Sequence, residues 1–229
     1  MTSESNPDLI SIPRIESTSF FRTLGVYLSP SSSNAGALKV LKEIVLDYCT
    51  IIKGSNLTRQ EALTLYIQYL LPKLCFQPSL LSLSQADCDK LTSMVMAVLL
   101  PRLHVNRHTA RSIVFGPECY GGLSLPNPYI TQGINKLRLF LGHMHIQDCT
   151  GQLIHIDMTY VQLLAGCGSL FLNQHEMQFK WIEAGWLQSL WSFTSRYSFT
   201  FLHPTGWTPT RPRENDQFLM KAFIKQKLP

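Results

Sequence analysis

The sequence predicts a mainly α fold, in which an N-terminal β-hairpin is followed by a helical bundle and then by a second, irregular helical region. Three observations predict it. Apolar residues recur at spacings of three and four over several stretches longer than a dozen residues. Capping residues and prolines punctuate the ends of those stretches. The clearest segment of strand character, rich in aromatic and β-branched residues, lies before residue 30. With 229 residues, 45% of them hydrophobic and only 15% charged, the chain can bury one sizeable core or two small ones. Such low charge also predicts apolar surface left over for a partner or a missing domain.

Taken in order, Met1 to Pro7 is polar and predicts a loose end. Leu9 to Ile15 alternates, Ser17-Thr18-Ser19 interrupts, and Phe20 to Leu28 resumes with Phe, Val and Tyr, which together read as a hairpin. Pro13 cannot donate to a ladder, so the first of these strands is expected at an edge. After a Ser/Pro turn, Leu38, Leu41, Val45, Tyr48 and Ile52 follow at alternating spacings of three and four, a helix closed by Gly54. Thr58-x-x-Glu61 is a capping box for a second helix, expected to stop at Pro72. Ser84-x-x-Asp87 caps a third, which should turn Cys88, Leu91, Val95 and Val98 inward and end near Pro101. Three helices on short links form a small bundle.

Between Pro101 and Pro128 the helical period disappears, so this stretch reads as an ordered loop, with one strand at Ser112 to Phe115 and a tight corner at Gly121-Gly122, where positive φ is expected. The period returns with Ile130, Ile134, Leu137, Leu141 and Met144, which predicts a helix with those five inward and Gln132, Lys136 and His143 on the opposite side. A helix from Gln152 to Ala165 should bury Leu153, Ile156, Tyr160 and Leu163, and further helices are expected over Trp186 to Tyr197 and from about Arg213 to Gln226. The chain divides most naturally near Leu103, into regions 8–103 and 104–229.

Charge is uneven along this plan. Residues 101–145 carry Arg102, Arg107, Arg111, Lys136 and Arg138 against Glu118 alone, and the stretch from Arg196 onward is basic again. Such blocks either contact phosphate or form an ordinary solvated surface. The density of Arg102, Arg107, His108 and Arg111 in one loop leaves two readings, structural salt bridges or nucleic-acid contact, and Lys136 joins this set from the helix that follows. Four tryptophans (Trp181, Trp186, Trp191 and Trp207) could stack on bases, although Trp186 and Trp191 fall on a helix, where core packing is the simpler role.

No catalytic constellation emerges. His104 and His108 fall in a predicted loop, and His143, His145, Cys149 and His155 lack the paired spacing of structural zinc sites. Asp87 and Asp89, a close acidic pair, sit at a helix start, where capping accounts for them. Glycine-rich phosphate loops and nucleophile elbows are absent from the sequence, so neither metal nor cofactor is expected. Six scattered cysteines without a C-x-x-C pair fit reduced thiols and an intracellular, cytoplasmic or nuclear setting. The longest uncharged run, Met158 to His175, is broken by turn residues, so no membrane span is expected.

Several of these segments, in this order, resemble the region following the palm of non-LTR-type reverse transcriptases. Phe21-Arg22-Thr23-Leu24-Gly25-Val26-Tyr27-Leu28 resembles the strand, with its Leu-Gly, whose hairpin grips the primer end. Leu71-Pro72-Lys73-Leu74, Asn106-Arg107, Val114-Phe115-Gly116-Pro117, Tyr120-Gly121-Gly122-Leu123, Thr131-Gln132-Gly133, Gly151-Gln152-Leu153 and Arg213 to Met220 continue the likeness over about residues 8–224. The resemblance implies a primer-grip-like hairpin plus thumb-like bundle (8–103), with the bundle itself over roughly 34–103, and a basic loop with helical linker region (104–229). Arg22, Thr23, Leu24 and Gly25 would then form the primer grip, and Arg107, His108 and Arg111 would hold the backbone of a template–primer or RNA/DNA duplex. The palm's catalytic aspartates have no counterpart here, so the resemblance implies a remnant or fragment of an RNA-directed DNA polymerase, inactive alone and completed by a missing palm domain. A soluble α-helical protein–protein interaction module without a nucleic-acid role is the alternative expectation.

Overall fold

A computed structural model describes residues 16, 19–31, 33–146, 148–167, 170–175 and 185–202. The strand expected at Leu9 to Ile15, the terminal helix expected from Arg213, and Trp181 and Trp207 lie outside the described residues.

The fold is mainly α and begins with a two-stranded antiparallel hairpin, β1 (Phe21–Thr23) and β2 (Val26–Leu28), with Phe21 opposite Leu28 and Thr23 opposite Val26. Both strands come from the segment expected to form a single one. The reason is local: Leu24 and Gly25 both take positive φ (49° and 86°), the requirement of a tight turn whose twist matches the strands. Val26 is buried and seats the ribbon on the bundle, while Phe20 lies flat on Gly36, where any side chain would collide with its ring.

α1 (Ala35–Gly54) buries Leu41, Val45, Tyr48 and Ile52, as the spacing predicts. The capping box at Thr58 is formed: its hydroxyl accepts from the Glu61 N–H at 3.3 Å, while the Glu61 carboxylate accepts from the Thr58 N–H at 2.8 Å. The helix it starts does not stop at Pro72. α2 (Arg59–Thr64) passes through a π-helical turn (Leu65–Leu70) directly into α3 (Leu71–Leu80), and the Leu71 N–H reaches back five residues to the Tyr66 carbonyl. The widened turn gives the Pro72 ring room beside the preceding carbonyls, which a regular α-helix would deny it.

α4 (Gln85–Arg102) is capped by the Ser84 hydroxyl on the Asp87 N–H and buries Cys88, Leu91 and Val95. It runs parallel to α1. Asn34 donates to the Ser82 carbonyl where the two begin, at 3.0 Å, and Arg102 donates to the Lys53 carbonyl where they end, also at 3.0 Å. α2 and α3 return between them, completing an up-down-up bundle.

The loop expected to hold a strand at Ser112 to Phe115 instead holds a short helix, α5 (Arg111–Phe115). Its carbonyls turn toward the returning Gly-Gly-Leu segment: Leu123 donates to Ile113 at 2.9 Å, Ser124 to Gly116 at 2.8 Å and Leu125 to Val114 at 3.1 Å. The two glycines of the corner have different tasks. Gly121 has φ of 77°, whereas Gly122 lies against the Gly116 carbonyl so closely that a Cβ would overlap it.

α6 (Pro128–Ile146) starts at Asn127, whose side-chain oxygen accepts from Tyr129 at 2.8 Å, and packs along α3. α7 (Cys149–Ala165) folds back on α6, capped by Asp148, and ends at Gly166 with φ of 64°. α8 (Trp186–Arg196) closes over α6. One core fills the bundle and crosses the division expected near Leu103, taking in Val114, Leu125, Tyr129 and Phe193. A second core centres on Phe140, Phe171 and Leu190.

On α6 and α7 the buried faces are not those the apolar spacing predicts. Ile134 and Leu141 of α6 are exposed, while Tyr129, Gln132, Gly133, Lys136 and Phe140 are buried. Gly133 is the cause, because its missing side chain is the space into which the Phe193 ring of α8 fits. On α7, Met158, Val161, Gln162 and Ala165 face inward, and Leu153, Ile156, Tyr160 and Leu163 are half or more exposed.

Candidate functional site

The loop after α4 is built around its backbone. Leu103 ends the helix, His104 takes the left-handed conformation (φ 58°), and the Val105 N–H returns to the Leu100 carbonyl at 2.9 Å while His104 returns to Pro101 at 3.1 Å. That pairing closes a Schellman motif with histidine where glycine is usual. Asn106 then accepts from the His108 N–H at 2.8 Å, fixing a turn whose corner is Arg107.

Arg107 and His108 are exposed, and the Arg107 Nε–H donates to His108 Nε2 at 2.9 Å, which holds the guanidinium against the imidazole on one side of the turn. Arg102 is partly exposed and spends one guanidinium N–H on the Lys53 carbonyl. Arg111, at the start of α5, has one guanidinium nitrogen buried without a partner. Among the described residues the ion pairs are Lys90 with Asp87 and His143 with Asp148, and no described carboxylate pairs with Arg102, Arg107 or Arg111. Of the two expectations, structural salt bridges find no support among the described residues.

Lys136 does not belong to that surface. It is 1% exposed, and its ammonium donates to the Ser189 hydroxyl of α8 at 2.7 Å. Loss of water around the charge lowers its pKa from 10.5 to about 8, with the neighbouring Cys88 acting in the other direction. Cys88, burial of which pushes its thiol up to about 12, accepts a hydrogen bond from Gln132 at 3.3 Å. The apolar spacing of α6 placed Lys136 outward; the Gly133–Phe193 contact turns it in.

Arg22, Thr23, Leu24 and Gly25 sit at the hairpin, where Arg22 and Thr23 are exposed and Leu24, 93% exposed, projects from the turn in a strained conformation. The hairpin rests at the start of α1 and the basic loop lies beyond its end. Twenty residues of helix separate them, about 30 Å. The structure therefore brings Arg102, Arg107 and His108 to one end of the bundle and Arg22 to Gly25 to the other.

The remaining candidates have structural partners. His143 hydrogen-bonds Asp148 at 2.8 Å, and the Asp148 carboxyl is held below its usual range first by the Gly151 N–H and then by that histidine. Trp186 donates to the Ser79 carbonyl and Trp191 to Gln174, which ties α8 down rather than offering a stacking platform. Among the described residues no three His, Cys, Asp or Glu side chains converge as a metal would need, and no helix is long and apolar enough to cross a membrane.

A second surface was not visible from the sequence. Between α6, α7 and α8 lies an apolar groove of about 700 Å³, lined by Leu80, Leu153, Ile156, Tyr160 and Trp186 and also by Asp157. Its signal in the sequence was the excess of apolar positions on α7, enough to cover both faces of the helix. No protein-family model, curated protein or solved structure matches this chain.

Proposed function

We propose that the chain is a non-catalytic remnant or fragment of a reverse-transcriptase-like, RNA-directed DNA polymerase, a thumb and linker part that holds the backbone of a primer–template duplex. One observation carries this reading: Arg102, at the end of α4, and Arg107, on the hydrogen-bonded turn that follows and against His108, have no carboxylate partner among the described residues. An uncompensated cationic edge on a rigid frame is what phosphate binding requires, since released counterions supply most of the affinity. The order of segments, from a Leu-Gly hairpin through a bundle to a basic Gly-Gly loop, supports the assignment to a post-palm region.

Anisotropy titration of a labelled RNA–DNA duplex tests it. Affinity should fall with salt at a log–log slope of roughly −2 to −3, the signature of two or three phosphate contacts, and Arg107→Glu should flatten that slope by one to two units. Binding that is absent at low salt, or indifferent to salt, refutes the proposal. The uncovered apolar face of α7 favours a second reading, a helical interaction module without nucleic-acid contact, and the same null titration is the result that reading expects.

A further inference from the structure

The exposed face of α7 is too apolar and too regular to be ordinary surface. Leu153, Ile156, Tyr160 and Leu164 are each more than half exposed and follow at intervals of three and four, one stripe along a helix. From Leu153 to Leu164 the stripe runs about 16 Å, three turns of helix. Leu80 and Trp186 raise a wall beside its first half and make it a groove.

The charge of the groove is as informative as its shape. His143 lines it but is matched by Asp148. Asp157 is left as the one carboxylate on the stripe, with no hydrogen bond or ion pair among the described residues. Partial burial among apolar neighbours already raises its carboxyl above the usual range. Anything that covers the groove completes that burial and must supply a cation or lose affinity.

These features discriminate among occupants. A second copy of the chain, packed two-fold with α7 antiparallel to itself, would bring the two Asp157 side chains close together near the middle of the stripe, where they would repel. A small apolar amine would fill the walled half and leave Leu164 bare. A helix satisfies both the length and the charge. We propose that the groove receives an amphipathic helix from a partner protein, with apolar residues at i, i+3 or i+4 and i+7 and a lysine or arginine set among them against Asp157. The groove shares no residue with the basic loop or the hairpin, so it stands or falls separately from duplex binding.

Two labelled helical peptides of about 15 residues, identical in their leucine stripe and differing only in a central Lys or Glu, make the test against the full-length protein. The Lys peptide should bind with a Kd of about micromolar order and the Glu peptide about tenfold more weakly. Asp157→Asn should bring the two within about twofold of each other, and Ile156→Glu, at an exposed position, should remove binding of both with an unchanged circular dichroism spectrum. Equal affinity of the two peptides for the unaltered protein overturns the proposal, as does the absence of binding by either, or binding that survives Ile156→Glu. Concentration-dependent dimerisation abolished by Ile156→Glu overturns it in favour of a second copy, and displacement of the peptide by octylammonium at a comparable concentration does so in favour of a small amine.

Discussion

An ammonium that is 1% exposed and has one hydroxyl as its hydrogen-bond partner is disfavoured in its charged form, which gives Lys136 a measurable signature. Its folded pKa of about 8 lies below the 10.5 of an unstrained lysine, so between those values the unfolded chain binds the proton that the folded chain has released. Stability therefore rises with pH through this window, at up to about 1.4 kcal/mol per unit. Cys49, Cys75, Cys88 and Cys167 act in the opposite sense from about pH 8 upward, because burial raises all four thiols and the folded state keeps protons that the unfolded state sheds. The lysine's rise should accordingly be read between pH 8 and 9 as the difference from Lys136→Met, about 1 kcal/mol in urea unfolding. Lys136→Met should abolish that rise and be more stable at pH 7 by roughly 1–3 kcal/mol, since it replaces an unpaired buried charge with an isosteric apolar chain. A variant with an unaltered pH profile would mean that the ammonium is not the group responsible.

Elements whose ends are set by neighbouring residues were legible in the sequence, and elements whose faces are set by distant ones were not. The spacing of Leu41, Val45, Tyr48 and Ile52, the capping box at Thr58 and the cap at Ser84 all lie within a few residues of the structure they specify. Pro72 misleads because the remedy, a π-helical turn just before it, leaves no distinct mark in the sequence. Ser112 to Phe115 misleads because its β-branched residues are drawn into a short helix by hydrogen bonds from the returning chain at Leu123 to Leu125. In α6 the decisive residue was the one with no side chain. Gly133→Val would push a branched side chain into the Phe193 ring, at a cost of roughly 1–3 kcal/mol, and should lift α8 while the bundle of α1 to α4 persists. Near-ultraviolet circular dichroism from Trp186 and Trp191 would weaken with helix content retained; an unchanged spectrum would show that α8 has another anchor.

At the scale of the whole molecule, the parallel run of α1 and α4 sets what a nucleic acid could touch. It sets an upper bound of about 30 Å, the length of α1, between the Arg22 hairpin and the Arg107 loop, or at most about nine base pairs at 3.4 Å each. Arg22→Glu should therefore weaken binding of a duplex of about 16 base pairs by severalfold and leave one of about 6 base pairs unaffected, whereas Arg107→Glu weakens both. Equal losses at the two lengths would contradict a footprint that spans the bundle. From the sequence alone came the mainly helical class, the hairpin before the bundle, the bundle's caps and inward faces, and the concentration of arginines after Leu103, because each is written in residues a few places apart. Only the tertiary structure decided that Lys136 is internal, that the apolar stripe of α7 is external, and that the Arg22 hairpin and the Arg107 loop sit toward opposite ends of the bundle. Those outcomes depend on which surfaces approach most closely, and here a glycine on α6 and a phenylalanine sixty residues later made that choice.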